Sequence, residues 1–277
     1  MPRLAVLGQP VSHSRSPAMQ GAALAELGLG ESWTYGAIEV APERFAEVVR
    51  SLPGDGYAGV NVTVPHKLAA LAVADEASAA ARAIGAANTL SFTAGSIAAD
   101  NTDATAITDA IAEPITGKRA LVLGAGGSAR AAIWALREAG AGVHIHNRTA
   151  SKAEALASEF GASVERRTTS DERLDASPYD LVLNATTLGL SQAAERQPTS
   201  GDLKALPIAA DSLSERQVVV DLVYGSHETA LASSARERGS RVIDGLEVLV
   251  RQGAASLRIW TGLEPPLETM RRAAHES

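Results

Sequence analysis

Four apolar residues, Ala120-Leu121-Val122-Leu123, run directly into Gly124-Ala125-Gly126-Gly127-Ser128-Ala129 and then into a helical segment, Arg130 to Ala139. A continuous apolar strand marks the centre of a parallel sheet, and parallel neighbours need a crossover helix between them. The glycines suit that turn. Gly124 makes the tight bend, Gly126 admits a pyrophosphate close to the backbone, and Ala129 keeps the helix near the strand. A second strand, Gly142 to His146, completes the βαβ unit, so Gly124, Gly126, Gly127, Ser128 and Ala129 are the candidate cofactor residues of a dinucleotide-binding turn. The second strand ends in Asn147-Arg148-Thr149, where an NAD site carries an acid for the ribose 2′-hydroxyl. Here the chain offers Asn147 and the cation Arg148, with Lys152 one turn later. Arginine pairs well with phosphate oxygens, so the expected cofactor is NADP.

Strands and helices continue to alternate beyond this unit: Ser151–Phe160, a short strand near 162–166, Leu181–Asn184, Val218–Leu222, a helix near 228–238 and Arg241–Ile243. That order specifies a Rossmann-type doubly wound parallel sheet. The Ser/Thr/Pro-rich stretch 191–201 reads as a surface loop. Gly245 then introduces a long amphipathic helix, Leu246 to Trp260, and a last helix begins near Pro265-Pro266.

The first hundred residues are also α/β. Leu4–Leu7 is a buried strand, and Ser16-Pro17 starts a helix with Ser16 as N-cap. Trp33–Val40 and Tyr57–Val64 are strands, Pro42–Ser51 and 75–84 helices. The stretch Asn61-Val62-Thr63-Val64-Pro65-His66-Lys67 joins a strand end to a helix start, the place where α/β folds present side chains to ligands. Lys67 is there a candidate acid/base or a surface lysine. Ser14 and Ser16 line a helix N-terminus that suits a carboxylate, or Ser16 simply caps its own helix. Asp103 opens a helix in Asn101-Thr102-Asp103, as a site carboxylate or a plain cap.

Of 277 residues, 45% are hydrophobic and 21% charged, which describes a globular chain with a sizeable core. With a net charge of −7 and no Lys/Arg block, a nucleic-acid footprint is missing. There is no cysteine, which excludes disulfides and thiolate chemistry, and no metal is called for. The N-terminus has no signal-peptide pattern and no apolar run is of membrane-spanning length, so a cytoplasmic protein acting on a small molecule is expected.

Taken in order, these motifs resemble the shikimate dehydrogenase family over nearly the whole chain. The anchors are Ser14-Arg15-Ser16-Pro17, the 61–67 stretch, Ala87-Asn88-Thr89, Asn101-Thr102-Asp103, the glycine turn, Asn147-Arg148-Thr149 and Gln252-Gly253-Ala254-Ala255. The resemblance implies that Lys67 and Asp103 form the catalytic pair. It implies that Ser14, Ser16, Asn61, Thr63, Asn88, Tyr224 and Gln252 hold the substrate, and that Thr186, Leu222 and Gly245 join the NADP site. It further implies a substrate domain of residues 1–103 and 245–277, an NADP domain of 104–244, a cleft between them, and a monomer or homodimer. Arg15 adds a cation that assists the carboxylate site or points to solvent. Thr187, Leu190, Ser226, Glu247 and Val248 depart from the family pattern in loops expected at the nicotinamide end. The alternatives are a relative acting on quinate or an aminoshikimate, a non-catalytic sensor on the same fold, and a tetrahydrofolate dehydrogenase-like enzyme.

Overall fold

The computed structural model describes residues 1–93, 95–167, 173–190 and 207–276. The chain divides into two compact units, Met1–Ala106 with Leu249–Ser277, and Ile107–Val248.

The first unit holds β1 (Arg3–Gly8), α1 (Ser16–Glu26), β2 (Thr34–Glu39), α2 (Phe45–Ser51), β3 (Tyr57–Val62), α3 (Lys67–Val73), β4 (Glu76–Ala77), α4 (Ala79–Ile84), β5 (Thr89–Thr93), β6 (Ser96–Asp100) and the start of α5 (Asp103–Ile111). Its sheet runs β2-β1-β3-β5-β6-β4. β1 is parallel to β2 and β3, whereas β5 is antiparallel to both β3 and β6. Register aligns Asn61 with Thr89 and Thr89 with Asp100, so one row of polar residues crosses three strands. Beneath them Leu7, Phe45, Val49, Val60, Val62 and Leu90 form a core. Each side chain of this size stabilises by about 1.5–3 kcal/mol when fully buried.

Three local expectations are revised. The helix expected over Pro42–Ser51 is a 3₁₀ turn, Pro42–Arg44, followed by α2. The segment 75–84 is not one helix. The Asp75 carboxylate accepts from Ile97 N at 2.8 Å and Ser78 N at 2.9 Å donates to Ala99, which pulls Glu76–Ala77 into a strand. The helix begins only where Ser78 Oγ caps Ala81 N. In α1 the N-cap position belongs to Arg15, not Ser16. The Ser14 hydroxyl instead accepts from Ser16 N at 3.3 Å.

The second unit contains β7 (Arg119–Leu123), α6 (Gly127–Glu138), β8 (Gly142–His146), α7 (Ala150–Phe160), β9 (Ser163–Val164), β10 (Leu181–Asn184), β11 (Val218–Asp221), α8 (Ala230–Glu237) and β12 (Arg241–Ile243). The order β12-β11-β10-β7-β8-β9 is parallel throughout, a Rossmann-type sheet. Ala120–Leu123 are buried to 1% exposure or less, as a central parallel strand requires. The stretch 191–201, expected as a surface loop, lies outside the described residues. Two helices close the chain, α9 (Gly245–Thr261) and α10 (Leu267–Glu276). From Leu249 onward they belong to the first unit. There Gly253 lies so close to Met19 of α1 that a Cβ would overlap it, and Gln20 Nε2 donates to Gly253 O at 2.9 Å.

Candidate active site

Lys67 is the first residue of α3, and the residue before it fixes where that helix starts. The His66 imidazole is buried, stacks on Phe45 with centroids 4.5 Å apart, and donates from Nε2 to Val40 O at 2.8 Å. Lys67 Nζ then donates to Asp103 Oδ2 at 2.6 Å, with the two side chains only 11% and 10% exposed. Asp103 is more than a helix cap, because Asn101 does the capping. Asn101 Oδ1 accepts the N–H groups of Asp103 and Ala104 at 3.1 and 3.3 Å. The Asp103 carboxylate thus stands at a helix N-terminus, where negative charge is favoured, and faces the lysine.

Asn88 ties this pair to the C-terminal helix. Its Nδ2 donates to Asp103 Oδ1 and Thr102 Oγ1, each at 2.9 Å, and to Gln252 Oε1 at 3.2 Å. Its Oδ1 accepts from Thr102 N at 2.8 Å. Lys67, Asp103, Asn88 and Gln252 therefore form one connected group. Asn61 belongs to a layer behind it. Asn61 Oδ1 accepts from Tyr35 OH at 2.8 Å, and Nδ2 donates to Ser256 Oγ at 2.9 Å, with Asn88 O at 3.3 Å and Thr89 Oγ1 at 3.4 Å. Its amide is hydrogen-bonded to the protein's own groups. Ser256, wholly buried, also meets Thr89 Oγ1 at 2.8 Å and Thr102 Oγ1 at 3.2 Å and donates to Gln252 O at 3.0 Å. Ser256 escaped the sequence reading. Its spacing of four from Gln252 puts both on one face of α9, and that signal points to it.

Ser14 precedes and Ser16 begins α1, which reaches α9 at Gly253, next to Gln252. Thr63 follows β3. A Cβ on Gly8 would overlap its methyl, so glycine is what lets Thr63 sit against β1. Arg15 does not simply point to solvent: its guanidinium donates to Ala274 O at 2.8 Å and His275 O at 3.4 Å, at the C-terminal end of α10. Tyr224 lies in the second unit, half-buried in the loop after β11.

The second unit brings its candidate cofactor residues together in clusters. Gly124 has φ +114, a conformation that favours glycine, and a Cβ there would stand 2.9 Å from Ala185 O and 3.2 Å from Thr186 Cγ2. Gly126 has φ −90 and open space where a Cβ would be, so nothing within the unit demands glycine there. It precedes α6, whose N-terminus has no side-chain cap. That combination fits a pyrophosphate approaching the backbone. Gly245 sits against Leu222, where a Cβ would be 2.7 Å from the carbonyl oxygen. Asn147 and Arg148 line a pocket of about 330 Å³ with His146, Glu154 and Val164; Lys152 is not among its lining residues, and Thr149 O accepts from Asn147 Nδ2 at 2.9 Å.

Asp221, at the end of β11, holds these loops. Oδ1 accepts from Asn184 Nδ2 at 2.9 Å and Val223 N at 3.1 Å, and Oδ2 accepts from the Thr229 hydroxyl. Asn184 Oδ1 in turn accepts from Thr186 N and Oγ1, at 3.1 and 2.6 Å. Burial pushes the Asp221 carboxyl from 3.8 up to about 6, outweighing the three donors that favour the anion. A raised carboxyl pKa means that the folded state keeps its proton where the unfolded chain has lost it. Stability from this group is therefore fully present below about pH 4, is lost as pH rises to about 6, and the total is about 3 kcal/mol. Urea unfolding should show wild type losing about 2 kcal/mol more than Asp221→Asn between roughly pH 4.5 and 7. Parallel curves for the two proteins would contradict this.

A parallel dinucleotide-type sheet in one unit and a buried Lys–Asp pair in the other define the class: a two-unit α/β nucleotide-dependent oxidoreductase. Among the described residues no helix is long and apolar enough to cross a membrane. Family comparison matches residues 6–90 to the shikimate dehydrogenase substrate binding domain, 106–200 to shikimate / quinate 5-dehydrogenase, and 245–275 to the shikimate 5′-dehydrogenase C-terminal domain. The chain belongs to the shikimate dehydrogenase family. It is 41% identical over 275 residues to a shikimate dehydrogenase (NADP(+)) of Anaeromyxobacter dehalogenans, covering 97% of this chain and 94% of that one. A shikimate dehydrogenase (NADP(+)) of Shouchella clausii is 36% identical over 273 residues, covering 96% and 95%. Among solved structures it is similar to shikimate 5-dehydrogenase from Thermus thermophilus in complex with NADP(H) and shikimate, with TM-score 0.87, 40% identity, and 100% and 99% of the two chains covered.

Proposed function

We propose that the chain is an NADP-dependent shikimate dehydrogenase, catalysing the reversible reduction of 3-dehydroshikimate to shikimate on the way to chorismate and the aromatic amino acids. The observation that carries this is the buried Lys67–Asp103 pair joined through Asn88 to Gln252. Residues 1–103 with 245–277 serve as the substrate domain, and 104–244 as the NADP domain. NADP, when bound, supplies or accepts the hydride. The chain's own task is then to move a proton at the C3 oxygen. Lys67 donates or accepts it and stabilises charge developing on that oxygen, while Asp103 orients Lys67 and binds a substrate hydroxyl. Ser14 and Ser16 donate to the substrate carboxylate, and Thr63, Asn88, Gln252 and Tyr224 bind the remaining polar groups. Asn61 acts on the pocket from behind, through Ser256 and Thr89. Gly124, Gly126, Gly127, Ser128 and Ala129 hold the pyrophosphate, Asn147, Arg148, Thr149 and Lys152 the adenosine end, and Thr186, Leu222 and Gly245 the nicotinamide end. The protein works in the cytoplasm as a monomer or homodimer.

One assay decides this reading: purified protein with NADP or NAD against shikimate or quinate. Shikimate with NADP should be the best pair by a wide margin. Turnover with none of the four defeats the enzyme reading in favour of a sensor, and a preference for quinate with NAD moves the chain to a quinate-using relative. Arg148→Ala should raise KM for NADP about tenfold and spare NAD, because the lost cation matters only to the 2′-phosphate. Equal effects on both cofactors would remove Arg148 from that role.

A further inference from the structure

The pocket beyond β8 contains more charge than the Asn147-Arg148-Thr149 segment supplies. Arg148, Arg166 and Arg167 line it, together with Glu154 and Glu165. The two later arginines are far along the chain, but β9 pairs in parallel with β8, matching His144 to Ser163 and Ile145 to Val164. Residues 165–167 therefore leave the sheet at the same end as 146–148.

The two carboxylates have different engagements. Glu165 Oε2 accepts from Tyr179 OH at 2.6 Å and lies 3.5 Å from His144 Nδ1. Glu154 Oε1 accepts from Arg166 at 2.5 Å, with side-chain exposures of 47% and 66%. A pair so exposed contributes little to stability. Its consequence is local: Arg166 cancels the carboxylate that a phosphate entering the pocket would otherwise meet. Arg167 places its charge near the strand end. Burial first, and that charge as well, hold the His146 imidazole below its ordinary range, against a backbone contact with Glu165 O at 3.1 Å that acts the other way.

We infer that Arg167 is a second determinant of the cofactor's 2′-phosphate beside Arg148, and that Arg166 supports the same selection by neutralising Glu154. This rests on NADP being the cofactor. Two cations around one dianion, with Glu154 cancelled by Arg166 and Glu165 held by the Tyr179 hydroxyl, make the pocket select a ribose phosphate over a free hydroxyl.

The test is calorimetric titration of the full chain with adenosine 2′,5′-bisphosphate and with adenosine 5′-monophosphate, which needs no turnover. Wild type should prefer the bisphosphate by at least about tenfold, as expected of a charge-assisted phosphate contact. Arg167→Ala should cut that preference about tenfold and leave monophosphate affinity unchanged. Arg166→Ala should cut it about threefold, and Glu154→Gln added to Arg166→Ala should restore it. A wild type without preference for the bisphosphate overturns the NADP reading and this inference with it. A wild-type preference that survives Arg167→Ala, or a variant that weakens both nucleotides alike, overturns the inference alone. Failure of Glu154→Gln to restore Arg166→Ala removes Arg166 from the selection.

Discussion

Lys67→Ala should lose turnover by a factor of about 10³ or more while shikimate affinity stays within several-fold of wild type. General acid/base assistance supplies about 10²–10⁴ in rate, and loss of a charged donor at a developing oxyanion costs about 10²–10³. One ammonium group is proposed for both tasks, so alanine removes both at once. Binding should survive because Ser14, Ser16, Asn88 and Gln252 remain. The substitution has a structural cost as well. It leaves the Asp103 carboxylate 10% exposed beside Asn88 with its cation gone. Removing one partner of a buried pair costs about 3–5 kcal/mol. Turnover and shikimate binding should therefore be measured at a temperature where thermal unfolding shows the variant folded. A folded Lys67→Ala protein with near-normal kcat would take Lys67 out of the reaction; a folded protein unable to bind shikimate would make it a binding residue instead.

The sequence exposed the parts of this site whose chemistry is local. The glycine turn is legible because φ +114 at Gly124 favours glycine and a bare backbone at Gly126 leaves room for a pyrophosphate. Lys67 and Asp103 are legible as residues at a strand end and a helix start. Their pairing is implied only by the family resemblance and not by any local signal, since it depends on β5 and β6 folding back antiparallel so that Asn88 and Asp103 meet. Residues that act through tertiary register were the ones missed. Ser256 reads as one more small residue on an amphipathic helix until Asn61, Thr89 and Thr102 converge on its hydroxyl. Arg166 and Arg167 stand at the end of the short strand expected near 162–166, and nothing local places them beside Arg148 until β9 pairs with β8. The partners of Arg15 were hidden for the same reason. They are carbonyls some 259 and 260 residues away in the chain, on a helix that no local signal near Arg15 announces. The short strand at Glu76–Ala77 was hidden because the Asp75–Ile97 and Ser78–Ala99 hydrogen bonds override the helix propensity of an alanine-rich segment.

Asn88→Ala should damage fold and reaction together, and the two effects can be separated. Asn88 is 1% exposed and supplies contacts that no neighbour duplicates. Without its amide, Thr102 N loses an acceptor at 2.8 Å, and Asp103 Oδ1 and Gln252 Oε1 lose a donor, all in the interior. A buried polar group left unsatisfied costs about 1–3 kcal/mol, and Thr89 and Ser256 are already engaged with each other, with Thr102 and with Asn61. A net loss of about 3 kcal/mol in urea unfolding is expected. The catalytic effect has a different origin. Asp103 is held from two sides, by Lys67 at Oδ2 and Asn88 at Oδ1. With one side gone the carboxylate can rotate, and the ammonium it orients moves with it. Misplacement of about 1 Å can cost about 10² in rate. Asn88→Ala should therefore lower kcat about a hundredfold at temperatures where it is fully folded, and raise KM for shikimate through the lost contact to Gln252. A variant that loses stability but keeps kcat would make Asn88 a core residue alone, and Asp103 would then need only Lys67 to be held in place.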